Sequence, residues 1–171
     1  MYQRLLVPVD GSPTSDRGLN EAINLGKATG ARLRLIHAVD EFVYGTGLEA
    51  YADVGGQVFT QLRKHGDEIL KRGREAVETA GLEVETQLFE RLTGTLTDLV
   101  VREAREWRAD MIVLGTHGRR GLRRMMIGSD AEQILRATPV PLLLVRGDDG
   151  VAAPIAAIDA SAKLSTFVLA G

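Results

Sequence analysis

Four short apolar runs and one alternating segment, separated by helix-patterned stretches, constrain this chain more than any other feature. Leu5, Leu6, Val7 and Val9 form the first run and stop at Asp10-Gly11-Ser12-Pro13, which reads as a buried strand passing through a turn into a helix. Ser12 fits the N-cap and Pro13 the first helical position, where its missing N–H costs nothing. Leu19, Ala22, Ile23 and Leu25 continue at helical spacing, and Gly30 is the expected stop. A second run, Leu33 to Val39, ends at Asp40-Glu41. Strand, helix and strand within about 40 residues is the size of a right-handed parallel crossover.

Residues 40–57 hold Gly45, Gly47, Gly55 and Gly56 among scattered aromatics and are expected to form a long loop. Val58, Leu62, Ile69, Leu70, Ala76, Val77 and Ala80 then mark one face of a long helix ending at Gly81. Alternation of Leu82, Val84, Thr86 and Leu88 with Glu83, Glu85, Gln87 and Phe89 predicts a half-exposed strand at a sheet edge. Thr95 to Ala104 reads as a third helix, Asp110 to Leu114 as a central strand, Ser129 to Ala137 as a fourth helix, and Pro141 to Val145 as a fifth strand. Regular β-α alternation of this kind predicts an α/β fold, a doubly wound five-stranded parallel sheet with helices on both faces.

With 171 residues, a formal charge of −2 and no cysteine, the chain has the size of one domain and lacks disulfides, thiolate chemistry and sulfur-bound zinc. His37, His65 and His117 are its only histidines. His37 reads as a structural residue inside a strand and His65 as a solvated one on the long helix. No apolar run approaches the roughly 18 residues of a membrane span, and no cleavable leader opens the sequence, so a cytoplasmic location is expected. The domain is expected to cover residues 1–146, with 147–171 a linker and a tail that packs against a second subunit. Charge is unevenly placed. Arg119, Arg120, Arg123 and Arg124 give residues 115–128 a charge of +4, so the rest of the chain carries −6, the difference between −2 and +4. Nucleic-acid binding is disfavoured, since the arginines lack interleaved aromatics.

In open parallel sheets, ligands sit beyond the carboxyl ends of the strands where strand order reverses. Two strand ends carry turn-forming polar chemistry, Pro8-Val9-Asp10-Gly11-Ser12 and Gly115-Thr116-His117-Gly118-Arg119. Gly128-Ser129 opens the fourth helix with outward N–H groups, a ready phosphate site. Neither the GxxxxGK[ST] phosphate loop nor the GxGxxG dinucleotide fingerprint is present.

The spacing of Gly115, Gly118 and Gly128-Ser129, with two and nine residues between, resembles the ATP-binding pattern of the universal stress protein family. Similar stretches are Leu5 to Asp10, Asp110 to Arg119 and Pro139 to Val145. The resemblance spans residues 1–146 and implies the adenine nucleotide alpha hydrolase-like fold with sheet order 3-2-1-4-5. It further implies a cleft holding adenosine near Pro8, Val9, Asp10 and Val39. The triphosphate would then follow Gly115, His117, Gly118, Arg119, Gly128, Ser129 and the backbone of Asp130, with Mg²⁺ or Mn²⁺ held mainly by phosphates and water. Asp130 departs from the family pattern, and its carboxylate would oppose a triphosphate at the helix start. A homodimer through Pro141 to Val145 and an unknown protein partner are the implied assembly. The expected role is an ATP-binding regulatory or stress-protective module. Its alternatives are a nucleotide-free dimer acting through protein contacts and a slow ATPase or self-phosphorylating protein using Ser129 or His117.

Overall fold

The computed structural model describes residues 2–40, 54–91, 94–116 and 128–146. In chain order the elements are β1 (Arg4–Pro8), α1 (Pro13–Thr29), β2 (Arg32–Asp40), α2 (Val54–Thr79), β3 (Val84–Arg91), α3 (Leu96–Glu106), β4 (Met111–Gly115), α4 (Ser129–Ala137) and β5 (Leu142–Val145). All strand pairs are parallel and the order is β3-β2-β1-β4-β5. That order matches the expected one, and β3 is at an edge as its alternating sequence demands.

Two cores flank the sheet. Leu5, Val7, Leu33, Leu35 and Val113 face α1 and α2, where Leu19, Ala22, Ile69 and Val77 cover them. Leu6, Ile36, Ile112 and Leu114 face the other way, against Val100 and Ala104 of α3 and Ala131 and Ile134 of α4. Period-2 alternation along each central strand therefore feeds both layers.

Local chemistry sets the helix ends. Ser12 is the N-cap of α1, its hydroxyl accepting the Ser15 N–H at 3.2 Å, and Gly30 closes the helix at φ 74°. Thr95, expected inside the third helix, instead caps it, and Asp98 reciprocates in a capping box. After α3 the chain turns at Arg108, whose φ is 55°. Its N–H donates to Arg105 and that of Ala109 to Ala104, the Schellman pattern in which glycine is the usual occupant.

One expectation is corrected. Gly55 and Gly56, assigned to a loop, lie inside α2, which starts at Val54 and runs for 26 residues. Glycine disfavours helix by about 1 kcal/mol relative to Ala, a preference too weak to stop so long a helix near its own end. The remainder of that expected loop, residues 41–53, and the tail, 147–171, lie outside the described residues.

A polar network sits on the α3 face, away from the strand ends. Arg34 of β2 pairs with Glu85 of β3 and, at 3.4 Å, with buried Glu103 of α3. The Trp107 ring lies 4.9 Å from the Arg34 guanidinium carbon, and its indole N–H donates to Glu85 at 3.3 Å. Hydrogen bonding to Arg34 lowers the Glu85 pKa, whereas burial raises that of Glu103.

Candidate functional site

The carboxyl ends of β1 and β4 are adjacent. Leu6 is paired with Ile112, and continuing that register places Val9 beside Gly115. The expected neighbourhood of the two turn-forming segments is therefore present.

The β1 end is a closed, interlocked turn. Val9 donates its N–H to the Ile36 carbonyl at 2.8 Å. Asp10 Oδ1 accepts the Ser12 N–H at 2.9 Å, and the Asp10 N–H donates to Ser15 Oγ at 3.1 Å. Asp10 thus performs the turn-capping role that short acidic side chains favour, while remaining partly exposed at the cleft. Gly11 adopts φ 76°, and a Cβ there would meet Ile69 of α2 at 3.0 Å. Pro8 is buried at the last β1 pair.

At the β4 end, a Cβ on Gly115 would lie 2.7 Å from the Thr14 carbonyl oxygen. A Cβ on Gly18 would in turn lie 3.2 Å from the Gly115 nitrogen. The demand for glycine at 115 therefore comes from the first turn of α1, which packs directly on the backbone. No local sequence signal reveals this demand, because Thr14 and Gly115 become neighbours only once the sheet order is known.

Thr116, 4% exposed, continues the strand and donates its N–H to Val145 at 2.9 Å. Its carbonyl accepts the Gly128 N–H at 2.8 Å. This bond fixes the start of α4 one residue beyond the β1–β4 junction. Gly128 is the N-cap, with φ −58°, and no side chain caps the helix. Its carbonyl accepts the Glu132 N–H, and Ser129 and Asp130 are exposed in the first turn. Among the described residues no side chain caps the first-turn N–H groups, where the positive end of the helix dipole lies. His117, Gly118 and Arg119 lie outside the described residues, as do Arg120, Arg123 and Arg124.

Val39 lies near the end of β2, where an adenosine contact is expected. Arg32 donates to Gln3 beside β1, whereas Leu33 donates to Glu83 beside β3, so even-numbered β2 residues turn their backbone groups toward β1 and odd-numbered ones toward β3. Val39 therefore addresses β3, with its side chain 3% exposed. Ala38 turns its N–H and C=O toward the cleft, past the final Pro8–Ile36 pair. Sequence reading missed Ala38 because backbone direction depends on register, which a run of apolar residues does not reveal.

His37 is buried, and its Nδ1 lies 2.6 Å from the Val9 carbonyl. A Cβ on Gly66 of α2 would strike the imidazole at 2.7 Å, so the glycine makes room for the ring. Its structural assignment is consistent with this burial, although it sits directly behind the cleft.

Among the described residues, no group of three or more His, Asp or Glu side chains could hold a metal ion. Nor, among them, is any helix long and apolar enough to cross a membrane.

Comparison with known proteins agrees with this geometry. The model of the universal stress protein family matches residues 1–146. A universal stress protein of Methanocaldococcus jannaschii is 32% identical over 147 residues, covering 85% of this chain and 83% of that protein. The structure of a universal stress protein from Lactobacillus plantarum superposes with a TM-score of 0.73 at 23% identity, covering 85% and 98% of the two chains. Two further universal stress protein structures share the fold, one in complex with cAMP and one, from Archaeoglobus fulgidus, in complex with dAMP. Their TM-scores are 0.60 and 0.58, at 23% and 21% identity, covering 86% and 84% of this chain and 98% of each of theirs. By the extent of the family match and this relative's identity, the chain belongs to the universal stress protein family.

Proposed function

We propose that this protein binds ATP in the cleft between the ends of β1 and β4 and acts as a nucleotide-responsive regulatory or stress-protective module of the cytoplasm. The observation that carries the reading is the start of α4, which lacks a side-chain cap and is tied through Gly128 to Thr116 beside the β1 end. Exposed helix N–H groups suit phosphate oxygens, and the helix dipole favours their charge. On the opposite wall, the Ala38 N–H and C=O form a donor and an acceptor on one strand edge, complementary to N1 and the exocyclic amine of adenine. The two fold relatives solved with cAMP and dAMP hold ligands of the same chemical class.

In this reading Pro8, Val9 and Asp10 bound the adenosine, and Gly115, Gly128, Ser129 and Asp130 follow the phosphates. His117, Gly118 and Arg119 complete the phosphate side as the glycine pattern requires. A divalent cation accompanying the phosphates would be held by them and by water. Bound metal would neutralise phosphate charge and offset the repulsion from Asp130.

Homodimerisation through β5 accompanies this reading. β5 is an edge strand, and Leu143 on it is 37% exposed, an apolar edge that a second copy would cover. Sedimentation should give twice the chain mass, and Leu143→Glu should give one.

Mass spectrometry of ligand released from purified protein, followed by calorimetric titration with ATP and magnesium, tests the binding. Absence of both nucleotide and heat would replace this reading with a nucleotide-free dimer acting through protein contacts.

A further inference from the structure

We propose that His37 is a positioning residue that ends the β1–β2 ladder and thereby leaves the Ala38 N–H to a ligand in the cleft. In a parallel ladder, hydrogen bonds alternate in direction along the two strands. Val9 N–H to Ile36 C=O is one rung, and the next would run from Ala38 N–H to Val9 C=O. Among the described residues the backbone bonds between these strands stop at the Val9–Ile36 rung. The Val9 carbonyl is instead met by His37 Nδ1 at 2.6 Å. A carbonyl can only accept, so Nδ1 carries the proton.

The ring is held for this task. His37 is 6% exposed, and its edge lies against Gly66, where any larger residue would displace it. A side chain one residue before Ala38 thus competes for the carbonyl that the next rung to the Ala38 amide would use. The identity of the ligand, a purine base whose ring nitrogen accepts from that amide, rests on the nucleotide-binding reading above. The ladder termination does not.

Amide hydrogen exchange of the full chain without nucleotide tests the proposal directly. Ala38 should exchange at least tenfold faster than Ile36 in the wild type. His37→Phe keeps a ring but cannot donate, which removes the competing donor at the Val9 carbonyl, so Ala38 exchange should slow at least tenfold. His37→Asn places an amide donor near the Nδ1 position and should retain fast exchange. Equal protection of Ala38 and Ile36 in the wild type would overturn the proposal. So would identical behaviour of the Phe and Asn variants, which would make the ring a packing element. Should His37→Phe fail to fold, the wild-type tautomer decides: a long-range ¹H–¹⁵N spectrum should show protonated Nδ1, and an unprotonated Nδ1 contradicts the mechanism. ATP titration of the wild type adds a separate outcome. Slowed Ala38 exchange on addition supports both readings; no response with the apo pattern intact refutes the nucleotide reading while supporting the role of His37.

Discussion

Two helices begin at the same end of the sheet, beside neighbouring strands, and they begin differently. α1 is closed by its own chain: Ser12 caps it, Pro13 removes one N–H, and Asp10 and Ser15 lock the preceding turn. α4 starts from Gly128, which has no side chain to offer, and among the described residues its start is tied by the Gly128 N–H bond to the Thr116 carbonyl. The contrast separates two uses of one structural position. A satisfied helix start fixes geometry, and an unsatisfied one is available to an anion.

The largest effect on this contrast is expected where the two starts meet. Gly115→Val would drive side-chain atoms into the Thr14 carbonyl, already 2.7 Å from a Cβ, and should destabilise the fold by about 3 kcal/mol or more. Denaturant unfolding measures this. Wild-type stability would show that α1 does not pack on Gly115 as described.

Gly128→Asp gives α4 a cap of its own. Stability should rise by about 0.5 kcal/mol, while ATP affinity should fall at least tenfold, because the new carboxylate occupies the first-turn N–H groups and repels phosphate. Ser12→Ala makes the opposite test on α1. It should cost about 1 kcal/mol in thermal or denaturant unfolding and leave ATP affinity within about twofold. If Ser12→Ala impaired binding as much as Gly128→Asp, the division between a structural and a ligand-binding helix start would fail.

The smallest expected effect is that of Asp130→Asn. Removing an acidic group from the first turn of α4 should cost about 0.5 kcal/mol of stability. It should strengthen ATP binding severalfold in low salt, with the gain shrinking as salt rises. Unchanged affinity at every ionic strength would place the phosphates away from this helix.

The α1 start was legible in the sequence because its signals are local: Ser12, Pro13 and Gly30 carry their roles in their own backbone chemistry. Four strands were legible from their apolar runs, and the exposed β3 edge from its alternation. What escaped depends on contacts between distant segments. The contact of Thr14 with Gly115 appears only once the sheet order is known. Val39 and Ala38 differ by a single step in register, which no propensity encodes. His37 was recognisable as structural, but its bond to the Val9 carbonyl required β1 and β2 to be placed side by side. Gly55 and Gly56 misled because local preference yielded to a long helix.

The polar network on the α3 face gives the same lesson for charge. Glu85 and Glu103 both meet Arg34, yet their pKa values move in opposite directions from 4.5. The lowered group stabilises the fold above 4.5 and loses that contribution as pH falls through its folded-state value. The raised group favours the fold at and below 4.5, and its contribution disappears as pH rises through its folded-state value. Hence the stability of wild type relative to Glu85→Gln should decrease on acidification, and that relative to Glu103→Gln should increase. Parallel trends in chemical denaturation between pH 3 and pH 7, a range of about 4 units around the carboxylate values, would contradict the assigned partners.

The central claim is that the bare start of α4 receives the phosphates of a nucleotide. Calorimetric titration of the wild type and Gly128→Asp with ATP and magnesium, under identical conditions, tests it most directly. The account predicts saturable binding to the wild type and at least tenfold weaker binding to the variant. No binding to the wild type, or equal affinity of the two proteins, would contradict it.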